Sequence, residues 1–352
     1  MMKEIFFVSN GLPGGGAERV MSVIANCLVD KGYEVNFIML RNVPEEYELN
    51  QKIKRFYLRG DNSPVNSIKF IRKFMNVSEE GVFISFFTYQ SFYTILASIG
   101  KNAKVIVSER NDPRKTVPNK QMEIIRNIFY GCKKCERIVF QTEGARDFFP
   151  RCIRKKGSII LNPLKTDVLN YKATLKNKEV VAVGRLTEQK NYPLLLRAFA
   201  DFHRTHNNYV LKIFGQGEQE QLLRQLTLDL NIQEYVVFAG FQDDVYKQIV
   251  SASMFVISSD YEGLSNALLE AMAIGLPCIS TDSPPGGAKM VIRDGINGLL
   301  TPVGDWNSLA NAMRYIADNP EVAEKMGKKA YLIREKISVN NICEQWIKIL
   351  EE

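Results

Sequence analysis

Apolar and polar stretches alternate along the chain in the way that is typical of strands and helices that follow one another. Short apolar runs such as Glu4–Ser9 and Val180–Val183 predict buried strands. Segments with apolar residues at helical spacing, such as Ala17–Asp30 and Pro193–His206, predict the helices between them. The alternation predicts βαβ units, and therefore an α/β protein with parallel sheets.

The length of the chain and two separate series of alternating elements predict two domains. The chain has 352 residues, and domains commonly have about 150. We expect a first Rossmann-like domain over 1–164, a polar linker over 165–178, a second Rossmann-like domain over 179–336 and a C-terminal helix within 337–352 that packs towards the first domain. Two doubly wound domains in tandem would leave a cleft that the carboxyl ends of their strands face, and ligands bind at such edges.

Charge is distributed unevenly between the two halves. Residues 1–175 contain 28 Lys and Arg against 17 Asp and Glu, a net charge of +11, and the remainder has 18 against 22, a net of −4. The basic first half favours an anionic partner, and we expect peripheral contact with an anionic membrane surface through the segment 68–75. This segment combines the basic residues Lys69, Arg72 and Lys73 with the apolar residues Phe70, Ile71 and Phe74, which would add a salt-insensitive contribution if they insert. No nucleic-acid-binding motif is present, so nucleic acid is excluded as a partner.

Several other classes of protein or site are excluded by features that the sequence lacks. No run of 18 apolar residues predicts a transmembrane helix. The N-terminal segment lacks a small-residue cleavage site and predicts a strand, not a signal peptide. The pair Cys132 and Cys135 has no second pair of ligands, and Asp243-Asp244 favours a helix start, so no metal site is predicted.

A glycine-rich segment follows the first predicted strand. Its sequence Gly14-Gly15-Gly16-Ala17-Glu18-Arg19 brings a flexible backbone to the start of a helix, where amides and the helix dipole favour an anion. A dinucleotide-binding fingerprint needs a third glycine where Arg19 stands and an acid at the end of the second strand, and both are missing. A nicotinamide-dependent oxidoreductase is therefore disfavoured, while a strand-to-helix turn without a ligand stays open.

Two further segments follow strands of the second series. Arg185 and Lys190 lie in Gly184-Arg185-Leu186-Thr187-Glu188-Gln189-Lys190-Asn191, where a guanidinium and an ammonium suit a diphosphate. Glu262 and Glu270 lie in 258–273, where Gly263 permits a turn and a helix is predicted from Leu264. The amides at that helix start could bind a phosphate. Solvated cations and a solvent-facing or salt-bridged Glu are the alternatives.

These motifs together resemble those of the family 4 retaining glycosyltransferases of the GT-B fold, the group 1 type found in bacterial capsule, lipopolysaccharide and glycan-carrier synthesis. The resemblance covers nearly the whole chain and rests on the order and spacing of several motifs. The further similar segments are Phe214-Gly215-Gln216-Gly217, Phe238-Ala239-Gly240-Phe241 and Asp294-Gly295-Ile296-Asn297-Gly298.

The resemblance implies a role for each matching residue. Arg185 and Lys190 would hold the nucleotide diphosphate and stabilise its developing charge, Glu270 would bind the ribose hydroxyls, and Glu262 would contact the donor sugar. Of these residues, the catalytic candidates are Arg185, Lys190 and Glu262, and they would act without a metal or other cofactor. Backbone groups would complete the nucleotide site at Gly15, Gly16, Gly263, Leu264 and Ser265.

One position departs from the family pattern. Many members carry a His after a middle strand of the first domain, where this chain has Glu109, Arg110 and Asn111. These three residues are the candidates for contact with the donor sugar or the acceptor, and a polar loop without a ligand is the alternative. The only histidines, His203 and His206, lie on a second-domain helix and are expected at the surface.

The implied function is transfer of a hexose or N-acetylhexosamine from a nucleotide sugar, expected to be a UDP-sugar, to a polyprenyl-diphosphate- or lipid-linked glycan. Such an enzyme would work at the cytoplasmic face of the membrane. A transferase with a soluble acceptor and a non-catalytic nucleotide-sugar-binding protein are the alternatives.

Overall fold

The computed structural model describes residues 4–43, 47–78 and 80–352, so Met1, Met2 and Lys3 of the predicted N-terminal segment lie outside the described residues. The chain divides into two compact units. Unit 1 comprises Met1–Pro163 and Ile337–Glu352, and unit 2 comprises Leu164–Lys336.

Unit 1 alternates strands and helices from its first described residue. Its elements before residue 164 are β1 (Glu4–Ser9), α1 (Gly16–Asp30), β2 (Glu34–Met39), β3 (Lys54–Tyr57), α2 (Pro64–Val77), β4 (Val82–Ser85), α3 (Thr88–Ala97), β5 (Lys104–Glu109), α4 (Lys120–Gly131), β6 (Cys135–Phe140), α5 (Glu143–Asp147), α6 (Arg151–Arg154) and β7 (Gly157–Ile159).

The strands of unit 1 form one parallel sheet in the order β3-β2-β1-β4-β5-β6-β7. The central strands are buried along almost their whole length, because helices cover both faces of a parallel sheet. The strand order reverses between β1 and β4, and this reversal is the topological switch point at which ligands bind in such sheets.

Unit 2 repeats this architecture. Its elements are β8 (Asn177–Val183), α7 (Tyr192–His203), β9 (Val210–Phe214), α8 (Glu220–Asp229), β10 (Val236–Gly240), α9 (Val245–Ile249), β11 (Ala252–Ile257), α10 (Asn266–Ile274), β12 (Cys278–Thr281), β13 (Leu299–Thr301), α11 (Trp306–Asp318), α12 (Pro320–Tyr331) and α13 (Ile333–Lys336). The sheet is parallel in the order β10-β9-β8-β11-β12-β13, so its order reverses between β8 and β11.

The last helix, α14 (Val339–Glu351), belongs to unit 1. Its Trp346 is fully buried and stacks on Phe86, with ring centroids 5.8 Å apart. Near the surface, the Nζ of Lys31 lies 2.6 Å from a carboxylate oxygen of Glu344. The amphipathic pattern of α14 therefore serves to close the core of unit 1.

Residues 165–178, expected to be a linker, lie within unit 2. Val168 is fully buried, and the backbone amides of Ala173 and Thr174 donate to the carbonyl oxygens of Ile274 and Val250. The segment also contains a short 3-10 helix and the first residues of β8. The segment is polar because it lies at the surface of unit 2, where backbone hydrogen bonds hold it.

The structure corrects the expectation that Phe70, Ile71 and Phe74 insert into a membrane. Ile71 is fully buried in α2, and Phe70 and Phe74 pack against the core of unit 1. Phe74 also contacts the ring of Phe6, at 5.8 Å between centroids. The apolar residues of this segment are core residues because α2 covers one face of the sheet.

Of the basic residues in 68–75, one is hydrogen-bonded to a neighbouring helix end and two are exposed. Arg72 donates from Nη1 to the carbonyl oxygens of Ala97 and Ile99, each at 2.8 Å, at the carboxyl end of α3. Unpaired carbonyls at a helix end need such donors, so Arg72 has a structural role. Lys69 and Lys73 are exposed.

The expected surface position of His203 is also corrected. His203 is 9% exposed, and its ring lies against Tyr235 with centroids 4.0 Å apart. Burial lowers the pKa of His203. His206 stacks on Phe202 at 4.6 Å, so both imidazoles serve as packing groups of α7 and the turn after it.

Candidate active site

Two loops of unit 2 leave adjacent strands at the switch point of the sheet. Residues 184–191 follow β8, and residues 258–265 follow β11, the strand paired with β8. The sequence motifs carrying Arg185, Lys190 and Glu262 therefore meet at the edge where open α/β sheets bind ligands.

The first loop is held by close backbone packing. The Phe214-Gly215-Gln216-Gly217 segment lies against it, and a Cβ on Gly215 would come within 2.0 Å of the carbonyl oxygen of Gly184. A Cβ on Gly217 would come within 2.3 Å of the carbonyl oxygen of Leu186. These two glycines are required because any side chain would displace the loop that carries Arg185.

Asn191 connects the two loops. Its backbone is left-handed, with φ of 44°, a conformation that Asn tolerates better than most residues. The side-chain oxygen caps α7 by accepting from the amide of Leu194, and Nδ2 donates to Asp260 at 2.7 Å. Ser258 Oγ adds a second link by donating to the carbonyl oxygen of Lys190 at 2.8 Å.

The central contact between the loops is an ion pair of Lys190 and Glu262. Lys190 Nζ lies 2.5 Å from Glu262 Oε2, and the side chains are 17% and 19% exposed. The same carboxylate oxygen accepts from Gln189 Nε2 at 3.4 Å and from Ser259 Oγ at 3.3 Å. An ammonium and a carboxylate are thus held together at one point that is partly shielded from water. Gln189 and Ser259, which the sequence analysis did not single out, help to hold the carboxylate there.

Arg185 lies in the same loop and is exposed. Its guanidinium forms no ion pair with any residue that the structure describes. A forked cation in this position can form two parallel hydrogen bonds to a phosphate. Together with Lys190, it places two cations at the carboxyl end of β8.

The second loop leads into α10 through a capped helix start. Ser265 is the N-cap and accepts from the amide of Leu268. The helix begins at Asn266, two residues later than predicted, so Leu264 and Ser265 precede it. A Cβ on Gly287 would overlap the carbonyl oxygen of Gly263, which shows how closely the 284–287 segment supports the turn.

Glu270 lies on α10, in its second turn. The residue is 6% exposed and is flanked by the buried Leu269 and Ala271. A carboxylate in such surroundings is costly unless it accepts hydrogen bonds. Its position on a rigid helix distinguishes it from Glu262, which lies on the loop.

In unit 1, the glycine-rich segment lies at the switch point between β1 and β4. Gly15 is the N-cap of α1 and has no side chain with which to cap the helix, and Gly16 is the first helical residue. Gly14 has φ of 82°, which turns the backbone into the helix. This part of the sequence forms the strand-to-helix turn that was predicted.

Glu109 ends β5 with its side chain turned into the core of unit 1. It is 2% exposed and lies 3.8 Å from Nη1 of the fully buried Arg126 on α4. Burial raises the pKa of Glu109 to about 7, and the charge of Arg126 opposes that rise. Arg126 also donates to the carbonyl oxygen of Pro113 at 2.5 Å and to Thr116 at 2.7 Å, so it holds the β5–α4 loop.

Arg110 and Asn111 follow Glu109 in that loop. Arg110 lies over the ring of Phe86, 4.3 Å from its centroid, and donates to Asn162 Oδ1 at 3.0 Å. Burial lowers the pKa of Arg110 to about 9. Asn111 Oδ1 accepts from the amide of Asp112, whose carboxylate forms a bidentate pair with Arg114.

Metal ligands do not gather in the part of the chain that the structure describes, where no group of three His, Cys, Asp or Glu side chains could hold an ion. Asp244 instead caps α9 by accepting from the amide of Lys247, which confirms the predicted helix start. None of the described helices combines the length and apolar character needed to cross a membrane.

Residues 170–333 match the model of the family described as glycosyl transferases group 1. This match covers just under half of the chain and indicates that the chain is a glycosyltransferase. The matched range contains both loops at the switch point of unit 2, and the recognition made from the motifs is confirmed. The enzyme class rests on this match together with the named relatives.

Two relatives of this glycosyltransferase align over nearly its whole length. An uncharacterised glycosyltransferase of Haemophilus influenzae is 28% identical and covers 99% of this chain and 100% of its own. A Campylobacter jejuni enzyme is 27% identical and covers 100% of this chain and 99% of its own. The name of the latter is GalNAc-alpha-(1->4)-GalNAc-alpha-(1->3)-diNAcBac-PP-undecaprenol alpha-1,4-N-acetyl-D-galactosaminyltransferase.

A solved structure establishes the fold of this glycosyltransferase. HepE of Anabaena, crystallised in complex with UDP, superposes with a TM-score of 0.85 at 17% identity and covers 99% of each chain. The predicted GT-B fold with two Rossmann-like domains is thereby confirmed.

Proposed function

We propose that this glycosyltransferase is a retaining enzyme that transfers a hexose or N-acetylhexosamine from a UDP-sugar to a glycan linked to polyprenyl diphosphate. The observation that carries the donor side is the pair of cross-linked loops at the switch point of unit 2. They bring two cations, a loop carboxylate and a capped helix start to one edge of the sheet. This combination suits a nucleoside diphosphate whose leaving oxygen gains negative charge.

In this proposal each donor group has a distinct task. Arg185 and Lys190 bind the diphosphate, Glu270 accepts from the ribose hydroxyls, and Glu262 accepts from hydroxyls of the transferred sugar. The backbone of Gly263, Leu264 and Ser265 contacts the phosphate or sugar. The Lys190–Glu262 ion pair supports this division, since it fixes the spacing of the phosphate-binding cation and the sugar-binding carboxylate.

The chemical step breaks the bond between the anomeric carbon and the phosphate oxygen. An acceptor hydroxyl forms the new bond on the same face, and its proton passes to the departing phosphate oxygen, so no protein nucleophile takes part. Arg185 and Lys190 stabilise the charge on the leaving UDP. This route is consistent with the chain having no His at the first-domain position.

The acceptor is proposed to meet unit 1. Arg110 and Asn111, at the carboxyl end of β5, are the candidates for contact with the acceptor or donor sugar, whereas the buried Glu109 acts by holding Arg126. The acceptor class is supported by the relative whose name includes PP-undecaprenol. Such an acceptor would place the enzyme peripherally at the cytoplasmic face of the membrane.

Binding of the donor is tested by thermal shift of the full chain with UDP, UDP-sugars and NAD. A ligand at about 100 times its Kd adds about 2.7 kcal/mol to the free energy of unfolding. We expect UDP and one UDP-sugar to raise the Tm and NAD to have no effect. A shift with NAD alone would contradict the proposal, and UDP binding without transfer to any acceptor would favour the non-catalytic alternative.

Metal independence is a separate part of the proposal. Transfer should continue in EDTA, because cations and backbone amides supply the charge that a metal ion supplies in other transferases. The measurement is the initial rate with and without chelator. Loss of activity that magnesium or manganese restores would contradict this part.

A further inference from the structure

Helix α4 of unit 1 packs Met122, Phe129 and Tyr130 against the core, yet it also exposes a set of apolar residues. Arg126 on this helix is fully buried, whereas Ile124, Ile125 and Ile128 are 61%, 38% and 65% exposed. A helix of a globular protein ordinarily turns its apolar stripe towards the core. The burial of Arg126 is explained by Glu109, Pro113 and Thr116, but folding provides no reason for the exposure of three isoleucines.

The exposed isoleucines form one continuous face. Ile124 and Ile128 are one helical turn apart, and Ile125 lies beside them at a spacing of three from Ile128. Leu222 and Leu228 of α8 are also exposed, but their separation of six residues places them on different faces of that helix. A contiguous apolar patch on a surface marks an interaction site, while scattered residues do not.

Basic residues lie at both ends of α4. Arg114, Lys115 and Lys120 come before or at its start and are exposed, and Lys133 and Lys134 follow its end, with Lys133 exposed. Glu123 is the acidic residue of the helix. An apolar face bordered by cations complements a bilayer interface, where acyl chains lie beneath anionic headgroups.

We propose that the face formed by Ile124, Ile125 and Ile128 docks unit 1 on an anionic lipid bilayer. This inference rests on the proposed function, because a lipid-linked acceptor requires access to a membrane. Helix α4 directly follows the loop that carries Arg110 and Asn111. Docking through α4 therefore brings the carboxyl edge of the unit 1 sheet to the level of the headgroups, where the diphosphate of a carrier lipid lies.

The segment 68–75 of α2 is the weaker candidate for this contact. Its apolar residues belong to the core, and Arg72 is bonded to the end of α3. Only Lys69 and Lys73 remain exposed for a lipid surface. The proposal thus transfers the membrane contact from α2, where the sequence indicated it, to α4.

The test is co-sedimentation of the full chain with vesicles of equimolar phosphatidylcholine and phosphatidylglycerol at low salt. Combined Ile124→Ser, Ile125→Ser and Ile128→Ser should reduce vesicle affinity about tenfold, since the apolar contribution of an interfacial helix is lost. Two matched controls should bind as wild type: Leu222→Ser with Leu228→Ser on α8, and Lys69→Glu with Lys73→Glu on α2.

Three results would overturn the proposal. The first is that the α4 variant binds vesicles as tightly as the wild-type protein does. The second is that the wild-type protein does not bind vesicles at low salt. The third is that the wild-type protein is a dimer and the α4 variant a monomer, which would assign the face to a second copy. Folding of the α4 variant is checked by its Tm and its thermal shift with UDP, both expected to match wild type. Absence of a UDP shift in the wild type would count against the proposed function, while the vesicle result would still decide the docking surface.

Discussion

The carboxyl edges of the two sheets use charged residues in opposite ways. In unit 2, Lys190 and Glu262 lie on two loops and remain partly accessible, so a ligand can exchange for or join their contacts. In unit 1, Glu109 and Arg126 are sealed in the core and fasten one loop to one helix. The comparison separates an ion pair that can serve binding from an ion pair that serves architecture, and each can be perturbed independently.

The largest expected effect concerns the buried pair of unit 1. Arg126→Met should lower the free energy of unfolding by about 3–5 kcal/mol, because it leaves Glu109 buried without its cation. Denaturant unfolding of the full chain measures this. The control is Arg224→Met on α8, whose exposed pair with Glu220 should be worth about 0–1 kcal/mol. Adding Glu109→Gln to Arg126→Met should recover part of the loss, and equal effects of the two Arg variants would contradict the architectural role.

The next effect concerns catalysis in unit 2. Lys190→Ala should lower the rate of sugar transfer about 100- to 1,000-fold, the usual loss when one preorganised donor to a developing negative charge is removed. Lys212→Ala is the matched control, because Lys212 also pairs with a carboxylate, Glu179 at 2.6 Å, but lies in strand β9. The measurement is the steady-state rate of sugar transfer by each variant. Similar rates for both variants would remove the diphosphate role of Lys190.

A smaller effect separates the two carboxylates of unit 2. Glu270→Gln should weaken binding of free UDP by about 1.5–3 kcal/mol, the range for hydrogen bonds to a charged group. Glu262→Gln should leave UDP affinity near wild type and reduce transfer, because its partner is the sugar. Titration calorimetry with UDP gives both values. If the two variants lost UDP affinity equally, the proposed division between ribose and sugar would be wrong.

A further effect, which appears only as the pH changes, comes from Glu109. Its folded pKa of about 7 is above the ordinary value of 4.5, so the folded state binds the proton more tightly than the unfolded state does. Its contribution to stability is therefore present at low pH and is lost as the pH rises from about 4.5 to about 7. Glu109→Gln should gain stability relative to wild type across this window. A constant difference between the two proteins from pH 4.5 to 7 would contradict the raised pKa.

Sequence patterns predicted the parts of this molecule whose contacts are local. The strands beside the switch points are short apolar runs, and Arg185, Lys190 and Glu262 lie in two short motifs that follow two of those strands. These features depend on residue order over a few positions. That is why the fold and the motif residues were recognisable together.

The parts that the sequence did not predict depend on distant residues or on mixed helix faces. Helix α4 has isoleucines outside and Arg126 inside, so its apolar period did not indicate a core helix. Strand β3 is an exposed edge strand with the sequence Lys-Arg-Phe-Tyr. The surroundings of Arg110 are completed by Phe86, Asn162 and Trp346, which only the folded unit brings together.

The central claim is that the donor nucleotide binds to the switch-point loops of unit 2. Calorimetric titration of UDP into the full chain tests it most directly, using Arg185→Gln with Lys190→Gln and, for comparison, Arg110→Gln in unit 1. The double variant should lose at least about tenfold in UDP affinity, as expected when hydrogen bonds to charged groups are removed, and Arg110→Gln should keep wild-type affinity. Wild-type affinity in the double variant, together with lost affinity in Arg110→Gln, would contradict it.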